Sequence, residues 1–266
     1  MRFLCLPGAY GSAKVGPPYS TPVYLLTFEQ NFEVQLAPFC KELVSDKSTE
    51  FFFTQGTIPC SPPQGFADYF GPGPHYRFIE YDGIGGTQQN DVLERVRDFP
   101  EGENAEDVLR ELMPHGEDGI RSSVRSALDA LYHTMEVHGP FDGICAYSEG
   151  TVVGGTLIMD ELRRQQEEGR PRQIKRALFF AGWPPLDLQS NEMVLADTSE
   201  DVIDIPTLHC VGADDPYIKG AMALYNVCDQ DEAILFDHGK GHTIPRDAQT
   251  LKELGEVVRG LGAASA

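Results

Sequence analysis

Residues 141–150, with the sequence FDGICAYSEG, decide the fold. Their first part is an apolar run typical of a strand buried within a sheet, and residues 151–166 continue with a helical pattern. Between the two, Ala146 and Gly150 stand two residues before and two residues after Ser148. A strand, a tight turn flanked by small residues and a helix form the context of a nucleophile elbow. The alternative interpretation is an ordinary joint in which Ser148 only caps the helix.

Short apolar runs alternate with longer helical patterns along the rest of the chain. We predict strands at residues 2–6, 50–55, 141–147, 176–181, 207–211 and 233–237. We predict helices at residues 32–44, 119–138, 151–166 and 250–261. This alternation predicts an α/β fold with a doubly wound, mostly parallel sheet and right-handed crossovers.

Two stretches interrupt the alternation. Residues 16–27 are rich in proline and glycine and separate the first strand from the first helix. Residues 58–116 are long and irregular, and they include an acidic run at residues 101–107. Loops of this length inside a domain usually form lids or substrate walls, or are disordered. We interpret residues 58–116 as a lid or cap within a single domain that covers residues 1–266.

A serine hydroxyl becomes a nucleophile only beside a base, which a third group orients. In hydrolases with a nucleophile elbow the acid and then the histidine follow the serine, each at the end of a strand. The fifth predicted strand leads into Asp214 and Asp215, and we prefer Asp215 because the following proline fixes the chain there. The sixth leads into His238 and His242, and we prefer His242 because two glycines let its loop bend over the sheet.

Backbone N–H groups must also stabilise the negative oxygen that forms when a serine attacks a carbonyl. One candidate donor is Glu149, whose N–H lies at the N-terminus of the predicted helix. The turn after the first strand, at residues 7–11, is placed to supply the second donor. We expect Ala9 in that role, with Tyr10 as the next candidate, although a glycine-bearing segment of this kind is by itself more typical of a plain turn.

Taken together, these motifs resemble the fungal FSH-type ("family of serine hydrolases") α/β-hydrolases, which include stand-alone thioesterases of polyketide gene clusters such as the lovastatin cluster. The matching segments span nearly the whole chain in family order, at residues 3–8, 141–150, 179–182, 206–215 and 241–245. The resemblance implies an α/β-hydrolase fold without a cofactor. It also implies that Ser148, Asp215 and His242 take the positions of the catalytic triad.

The chain departs from the family pattern at four places. Pro7 stands where the family usually has histidine, and Ala146 replaces the usual first glycine of the elbow. Glu149 stands where glutamine is common, and a carboxylate is unfavourable beside an oxyanion unless it points away. Residues 16–27 look like an insertion, which is either a real loop near the site or a retained intron in the gene model.

The charge of the chain limits its partners. Asp and Glu number 41 against 21 Lys and Arg, which gives a formal net charge of −20. Such a field repels phosphate backbones, so we expect neither nucleic acid nor anionic membrane as a partner. Six basic residues nevertheless cluster within residues 163–176. The simpler interpretation is a helix end that complements its dipole; the alternative is docking of an acidic acyl carrier protein, with Arg163, Arg164 and Arg172 as the contacts.

The cysteine pattern predicts a reducing compartment. Six cysteines are widely spaced without a CxxC pair, so neither a zinc site nor a disulfide framework is indicated. His238 and His242 are four residues apart, but the glycines between them argue against the helix that such a metal-binding pair needs. No apolar run approaches the length of a membrane span. We therefore expect a cytoplasmic protein that holds no metal.

The sequence thus predicts a serine hydrolase that cleaves an acyl thioester or ester through an acyl-enzyme. By resemblance, the acyl group is a polyketide on an acyl carrier protein of fungal secondary metabolism, which the enzyme releases or edits. One alternative is a carboxylesterase that acts on small free esters. A second is a binding protein that keeps the fold without catalysis.

Overall fold

The computed structural model describes residues 1–12, 31–45, 49–62, 70, 73–80, 102–112 and 118–263. Six strands form one sheet: β1 (Arg2–Leu6), β2 (Glu50–Phe53), β5 (Gly143–Tyr147), β6 (Ala177–Phe180), β7 (Thr207–Val211) and β8 (Ala233–Asp237). Their order in the sheet is β2-β1-β5-β6-β7-β8, and every neighbouring pair is parallel. The short strands β3 (Ile58–Cys60) and β4 (His75–Arg77) pair with each other in an antiparallel hairpin.

Helices cover both faces of the sheet. In the described ranges they are α1 (Asn31–Val44), α2 (Ala105–Leu112), α3 (Asp118–His138), α4 (Glu149–Glu168), α5 (Ile218–Asn226) and α6 (Ala248–Ala263). The alternation of side chains along β1 divides the core into two layers. Phe3 and Cys5 pack with α1 and α6, whereas Leu4 and Leu6 pack with α3 and α4. The architecture is that of an α/β-hydrolase, as predicted.

The predicted long elements are present, with ends that differ by at most two residues. Two helices were not predicted. Helix α2 lies within residues 58–116, so the expectation of an irregular stretch is wrong there. The acidic run that we assigned to a loop extends into the first turn of α2, where the Asn104 side chain accepts a hydrogen bond from the Asp107 N–H at 2.8 Å. Acidic side chains in that turn favour the helix, because they face its positive end.

Helix α5 was also missed. It has only nine residues, and a segment this short carries little periodic signal. Helices α2 and α5 form a small third apolar cluster, in which Val108 and Leu109 lie with Ala223. Within residues 58–116 the structure describes α2 with the three residues before it, the β3–β4 hairpin and short segments beside the hairpin. The other residues of this stretch, and all of residues 16–27, lie outside the described residues.

Ser12 and Asn31 flank residues 13–30 and are bonded to each other. The Ser12 N–H donates to Asn31 Oδ1 at 2.7 Å, and the Phe32 N–H donates to the Ser12 carbonyl at 3.2 Å. The Asn31 amide also donates to the carbonyl of Tyr10 at 3.0 Å. The two ends of this stretch are therefore fixed at one point, next to the turn that follows β1.

None of the six cysteines forms a disulfide bond, and five of them are buried. Burial raises the pKa of the Cys5, Cys210 and Cys228 thiols, that of Cys228 to about 12. These cysteines are therefore protonated core residues at neutral pH. Within the described ranges, none of the helices has the length and apolar character needed to cross a membrane.

Candidate active site

The candidate site lies where the connections of the sheet reverse direction. From β1 the chain moves outward to β2, but it later returns to place β5 on the other side of β1. The loops that follow β1 and β5 therefore diverge and open a crevice at the carboxyl ends of the strands, where α/β proteins bind their ligands. Ser148 follows β5 directly, at the mouth of this crevice.

Ser148 has the strained backbone of a nucleophile elbow. Its φ of 51° and ψ of −121° lie in a region that residues other than glycine rarely adopt. Strain of this kind costs on the order of 1–3 kcal/mol and needs support from its surroundings. The Ser148 N–H donates to the Phe180 carbonyl at 3.0 Å, and its carbonyl accepts from the Thr151 N–H at 2.9 Å. Its side chain makes no capping bond to α4, so Ser148 is not an ordinary helix cap.

Gly150 allows the elbow to approach β1. A Cβ atom at this position would lie 2.5 Å from the carbonyl oxygens of both Leu6 and Pro7. Those oxygens belong to backbone, so the contact could not be relieved by a side-chain rotation. The sequence pattern requires a small residue two positions after the serine for this reason, and Ala146 two positions before it is accommodated as a buried residue of β5.

The structure brings Ser148, His242 and Asp215 into one hydrogen-bonded chain. His242 Nε2 lies 3.1 Å from Ser148 Oγ, and His242 Nδ1 lies 2.8 Å from Asp215 Oδ2. A carboxylate has no proton to donate, so the proton of the neutral imidazole is on Nδ1 and Nε2 is free to accept the serine proton. The imidazole is thus oriented as a base for Ser148.

Asp215 and Asp214 have different environments. Asp215 is 4% exposed, and its second oxygen, Oδ1, accepts a hydrogen bond from the Tyr217 N–H at 2.8 Å. Asp214 is exposed, and its backbone N–H donates to the Lys240 carbonyl at 3.2 Å. Of the two candidate acids, the structure places Asp215 beside the imidazole.

His238, the other candidate base, takes no part in this chain. Both its ring nitrogens are buried and have no hydrogen-bond partner among the described residues. Burial lowers the pKa of His238, which keeps its imidazole neutral.

Two tyrosines hold the imidazole of His242, and the sequence analysis did not identify either of them. The Tyr147 ring lies 5.4 Å from the imidazole, and the Tyr217 ring lies 5.1 Å from it in an edge-on arrangement. The Tyr147 hydroxyl also donates to the His242 carbonyl at 3.2 Å. The only sequence signal for these contacts was that Tyr147 directly precedes Ser148 and that Tyr217 follows Asp215 by two residues.

A cavity of about 180 Å³ lies between α1 and the residues that follow His242. Its lining includes Tyr147, Gln35 and Arg246. The Arg246 guanidinium donates to the Val34 carbonyl at 3.2 Å, which links the loop of His242 to α1.

The turn after β1 contacts the nucleophile. A Cβ atom built on Gly8 would lie 3.0 Å from the Cβ atom of Ser148. The next two residues are Ala9 and Tyr10, and Tyr10 has a left-handed backbone with φ of 64°. The Gly11 N–H closes the turn by donating to the Gly8 carbonyl at 3.0 Å. The turn that contains both expected N–H donors therefore adjoins Ser148.

The side chain of Glu149 points away from the oxyanion position. Its carboxylate is buried and accepts hydrogen bonds from the backbone N–H groups of Phe78 at 3.0 Å and Ile79 at 3.2 Å. The departure from glutamine thus has a structural function, because it attaches the segment after β4 to the elbow. The backbone N–H of Glu149 remains at the first position of α4, directly after the nucleophile.

The basic cluster carries its own counter-charges. Arg163 and Arg164 both pair with Asp160, at 2.6 Å each. Arg172 is 12% exposed and pairs with Asp204 at 2.7 Å. The three expected docking residues therefore form ion pairs within the chain. In the part of the chain that is described, no group of three or more His, Cys, Asp or Glu side chains is arranged to hold a metal ion.

Comparison with known proteins gives a family match and several relatives. The family described as "Serine hydrolase (FSH1)" matches residues 25–254. Esterase FPY3 of Fusarium mangiferae is 32% identical over 143 residues, which are 51% of this chain and 63% of that protein. Hydrolase phiM of Talaromyces stipitatus is 23% identical over 263 residues, covering 96% of this chain and 84% of that protein. The chain thus spans less than two thirds of the length of Esterase FPY3.

Solved structures also superpose on the chain. The crystal structure of esterase PE8 has a TM-score of 0.49 at 16% identity, covering 98% of this chain and 92% of that one. The structure of acyl-protein thioesterase 2 from Zea mays has a TM-score of 0.47 at 13% identity, covering 98% of this chain and 93% of that one.

Proposed function

The chain belongs to the serine hydrolase (FSH1) family, and we propose that it hydrolyses acyl thioesters or esters through an acyl-enzyme formed on Ser148. The observation that carries this proposal is the hydrogen-bonded chain from Ser148 Oγ through His242 to Asp215, with distances of 3.1 and 2.8 Å. The arrangement supplies a nucleophile, a base and an orienting acid in the geometry that acyl transfer requires.

In the first half of the reaction, Ser148 Oγ attacks the acyl carbonyl carbon while His242 Nε2 takes the hydroxyl proton. The resulting imidazolium is stabilised by the Asp215 carboxylate, which stays ionised. The tetrahedral intermediate then collapses, and the bond from carbon to the leaving sulfur or oxygen breaks. His242 returns the proton to that atom, which leaves a free thiol or alcohol and the acyl group on Ser148.

In the second half, a water molecule replaces the leaving group. His242 takes a proton from the water, and the water oxygen attacks the carbonyl carbon of the acyl-enzyme. Collapse of this second intermediate breaks the bond to Ser148 Oγ, which takes back the proton from His242. The products are a carboxylic acid and the regenerated enzyme.

Each tetrahedral intermediate carries a negative oxygen, for which we assign two backbone donors. The N–H of Glu149 lies at the positive end of α4, and the N–H of Ala9 lies in the turn that contacts Ser148, with Tyr10 as the alternative donor. Such preorganised donors typically contribute about 3–4 kcal/mol each to the transition state. The carboxylate of Glu149 does not oppose this effect directly, because it is bonded to Phe78 and Ile79.

For the natural substrate we propose a polyketide thioester on an acyl carrier protein. The resemblance to stand-alone thioesterases of polyketide clusters supports this choice. A second candidate is the ester of a small free alcohol. It is favoured by the name of the relative Esterase FPY3, and by the ion pairs that neutralise Arg163, Arg164 and Arg172.

A fluorophosphonate probe tests the catalytic assignment. We expect it to label the wild-type protein on Ser148 and to leave Ser148→Ala unlabelled. Loss of Ser148 or His242 should lower kcat by about 10⁶-fold, as in other triads. Substantial turnover by purified, folded Ser148→Ala would refute the assignment, and a wild-type protein that neither labels nor turns over any acyl substrate would favour the binding-protein alternative.

Paired substrates test the carrier. Hydrolysis of an acyl group on a carrier protein is compared with hydrolysis of the same acyl group on cysteamine, in the wild type and in the variant with Arg163, Arg164 and Arg172 changed to Gln. If the cluster docks the carrier, only the carrier reaction should slow, and it should also weaken with added salt. Lys41→Gln with Lys252→Gln, on α1 and α6, is the control for loss of positive charge. A wild-type enzyme that prefers the cysteamine substrate or free esters would favour the second candidate.

A further inference from the structure

The loops that carry Asp215 and His242 are joined to each other beyond the ends of their strands. Asp215 lies in the loop after β7, and His242 lies in the loop after the neighbouring strand β8. The His238 N–H donates to the Val211 carbonyl at 2.9 Å, which extends the pairing of the two strands by one bond. The Asp214 N–H donates to the Lys240 carbonyl at 3.2 Å, halfway along both loops. The acid and the base are therefore positioned as one unit.

Asp237, the last residue of β8, connects the starting points of both loops. Its Oδ1 atom accepts a hydrogen bond from the Ala213 N–H at 2.9 Å and another from the Gly239 N–H at 2.8 Å. Ala213 stands two residues before Asp215, and Gly239 stands three residues before His242. One carboxylate oxygen thus holds the first turn of the acid loop and the first turn of the base loop at a fixed separation.

We propose that Asp237 is a positioning residue that sets the distance between Asp215 and His242. The inference rests on the proposed function, because it concerns the same acid and base. Within the described part of the chain, Asp237 forms no hydrogen bond with Ser148 or with the imidazole of His242, so we assign its effect to the backbone of the two loops. Catalytic geometry is sensitive to such support, since a displacement of about 1 Å at the reacting groups can lower the rate about 100-fold.

A positioning role for Asp237 requires an oxygen atom at the Oδ1 position, whereas an electrostatic role would require its negative charge. The two N–H groups need an oxygen at the Oδ1 position, and the amide oxygen of asparagine supplies it without the charge. Glutamate keeps the charge but carries its oxygens one methylene farther from the backbone. The variants Asp237→Asn and Asp237→Glu therefore separate position from charge.

We expect Asp237→Asn to keep kcat within about threefold of the wild type. Asp237→Ala and Asp237→Glu should lower kcat by roughly 10- to 100-fold, with KM nearly unchanged, because substrate binding does not depend on the separation of acid and base. Asp231→Ala, which removes an exposed carboxylate near the opposite end of β8, is the matched control and should behave as the wild type. Steady-state kinetics on an acyl-cysteamine thioester, with circular dichroism of each variant, measure these effects.

The inference would be overturned by a folded Asp237→Ala variant with the kcat of the wild type, or by an Asp237→Asn variant as impaired as Asp237→Glu. If Asp237→Ala does not fold, the test rests on the kcat of Asp237→Asn compared with that of Asp237→Glu. The Ser148→Ala variant is measured in parallel. A wild-type protein without Ser148-dependent turnover refutes the proposed function, whereas normal turnover in all Asp237 variants refutes only this inference.

Discussion

The carboxylate of Glu149 accepts a hydrogen bond from the backbone N–H of Phe78 across 71 positions of the chain. A second bond, from the Ile79 N–H, uses the other carboxylate oxygen. The residue whose own N–H is assigned to the oxyanion therefore also anchors the segment that follows the β3–β4 hairpin. One side chain thus joins the elbow to the segment after β4.

Glu149→Gln should destabilise the protein. Glutamine has one acceptor oxygen, so its NH₂ group would face one of the two backbone N–H groups and leave it unsatisfied in a buried place. The expected loss is about 1–3 kcal/mol in the free energy of unfolding, measured by urea denaturation. Glu136→Gln, an exposed change on α3, serves as the control. If Glu149→Gln had the same free energy of unfolding as the wild type, the two hydrogen bonds would make no net contribution to stability.

Asp215→Asn should lower kcat by roughly 10⁴-fold without unfolding the protein, because an amide at this position favours the wrong imidazole tautomer. Asp214→Asn makes the same chemical change at an exposed neighbour and should keep nearly full activity. Steady-state kinetics on one acyl substrate compare the two variants. A larger loss in Asp214→Asn would reverse the assignment of the acid.

Gly150→Ala should both destabilise the protein and reduce its activity. The added methyl group would meet the carbonyl oxygens of Leu6 and Pro7 at 2.5 Å, so α4 would have to move away from β1. Overpacking of this kind typically costs about 1–3 kcal/mol. Gly260→Ala is the control, since a Cβ atom there meets nothing within 4 Å and alanine favours the helix. Equal melting temperatures for the two variants would contradict the close approach.

Stability should fall at acidic pH through His209. This residue of β7 is fully buried between the rings of Phe179 and Tyr225, and burial lowers its pKa to about 3. The unfolded chain binds a proton near pH 6.5, whereas the folded protein does not, so the stabilisation is complete above about pH 6.5 and is lost as the pH falls toward 3.

The expected loss through His209 is about 2 kcal/mol between pH 6.5 and pH 5.0, from about 1.4 kcal/mol per pH unit. Urea unfolding at several pH values measures it. His209→Gln should be less stable at neutral pH but should show a shallower pH dependence, whereas the exposed His133→Gln should keep the slope of the wild type. Parallel pH profiles for the wild type and His209→Gln would contradict this account.

The sequence predicted the strands of the main sheet because their apolar runs and boundaries are local signals. It did not predict α5, whose nine residues are too short for a clear period. It also did not predict the β3–β4 hairpin, whose strands have three residues each and include a proline in β3. These elements depend on packing against distant parts of the chain, which a single sequence does not display.

In the candidate site, too, the sequence predicted one part and not the other. The order and spacing of Ser148, Asp215 and His242 follow from strand ends, so local reasoning reached all three. The support around them is non-local: Glu149 bonds to Phe78, and Tyr147 bonds to the carbonyl of His242. The partner of Arg172 is likewise non-local, because the ion pair with Asp204 joins residues that only the fold brings together.

The bonds between Ser12 and Asn31 have an evolutionary consequence. Because both ends of residues 13–30 are fixed at one point, the entropy of closing the chain between them grows only slowly with its length. We therefore expect that insertions or deletions between residues 12 and 31 can accumulate without displacing β1 or α1. Such changes would alter a segment whose ends adjoin the turn that contacts Ser148, and would leave the strands before the nucleophile, acid and base in place.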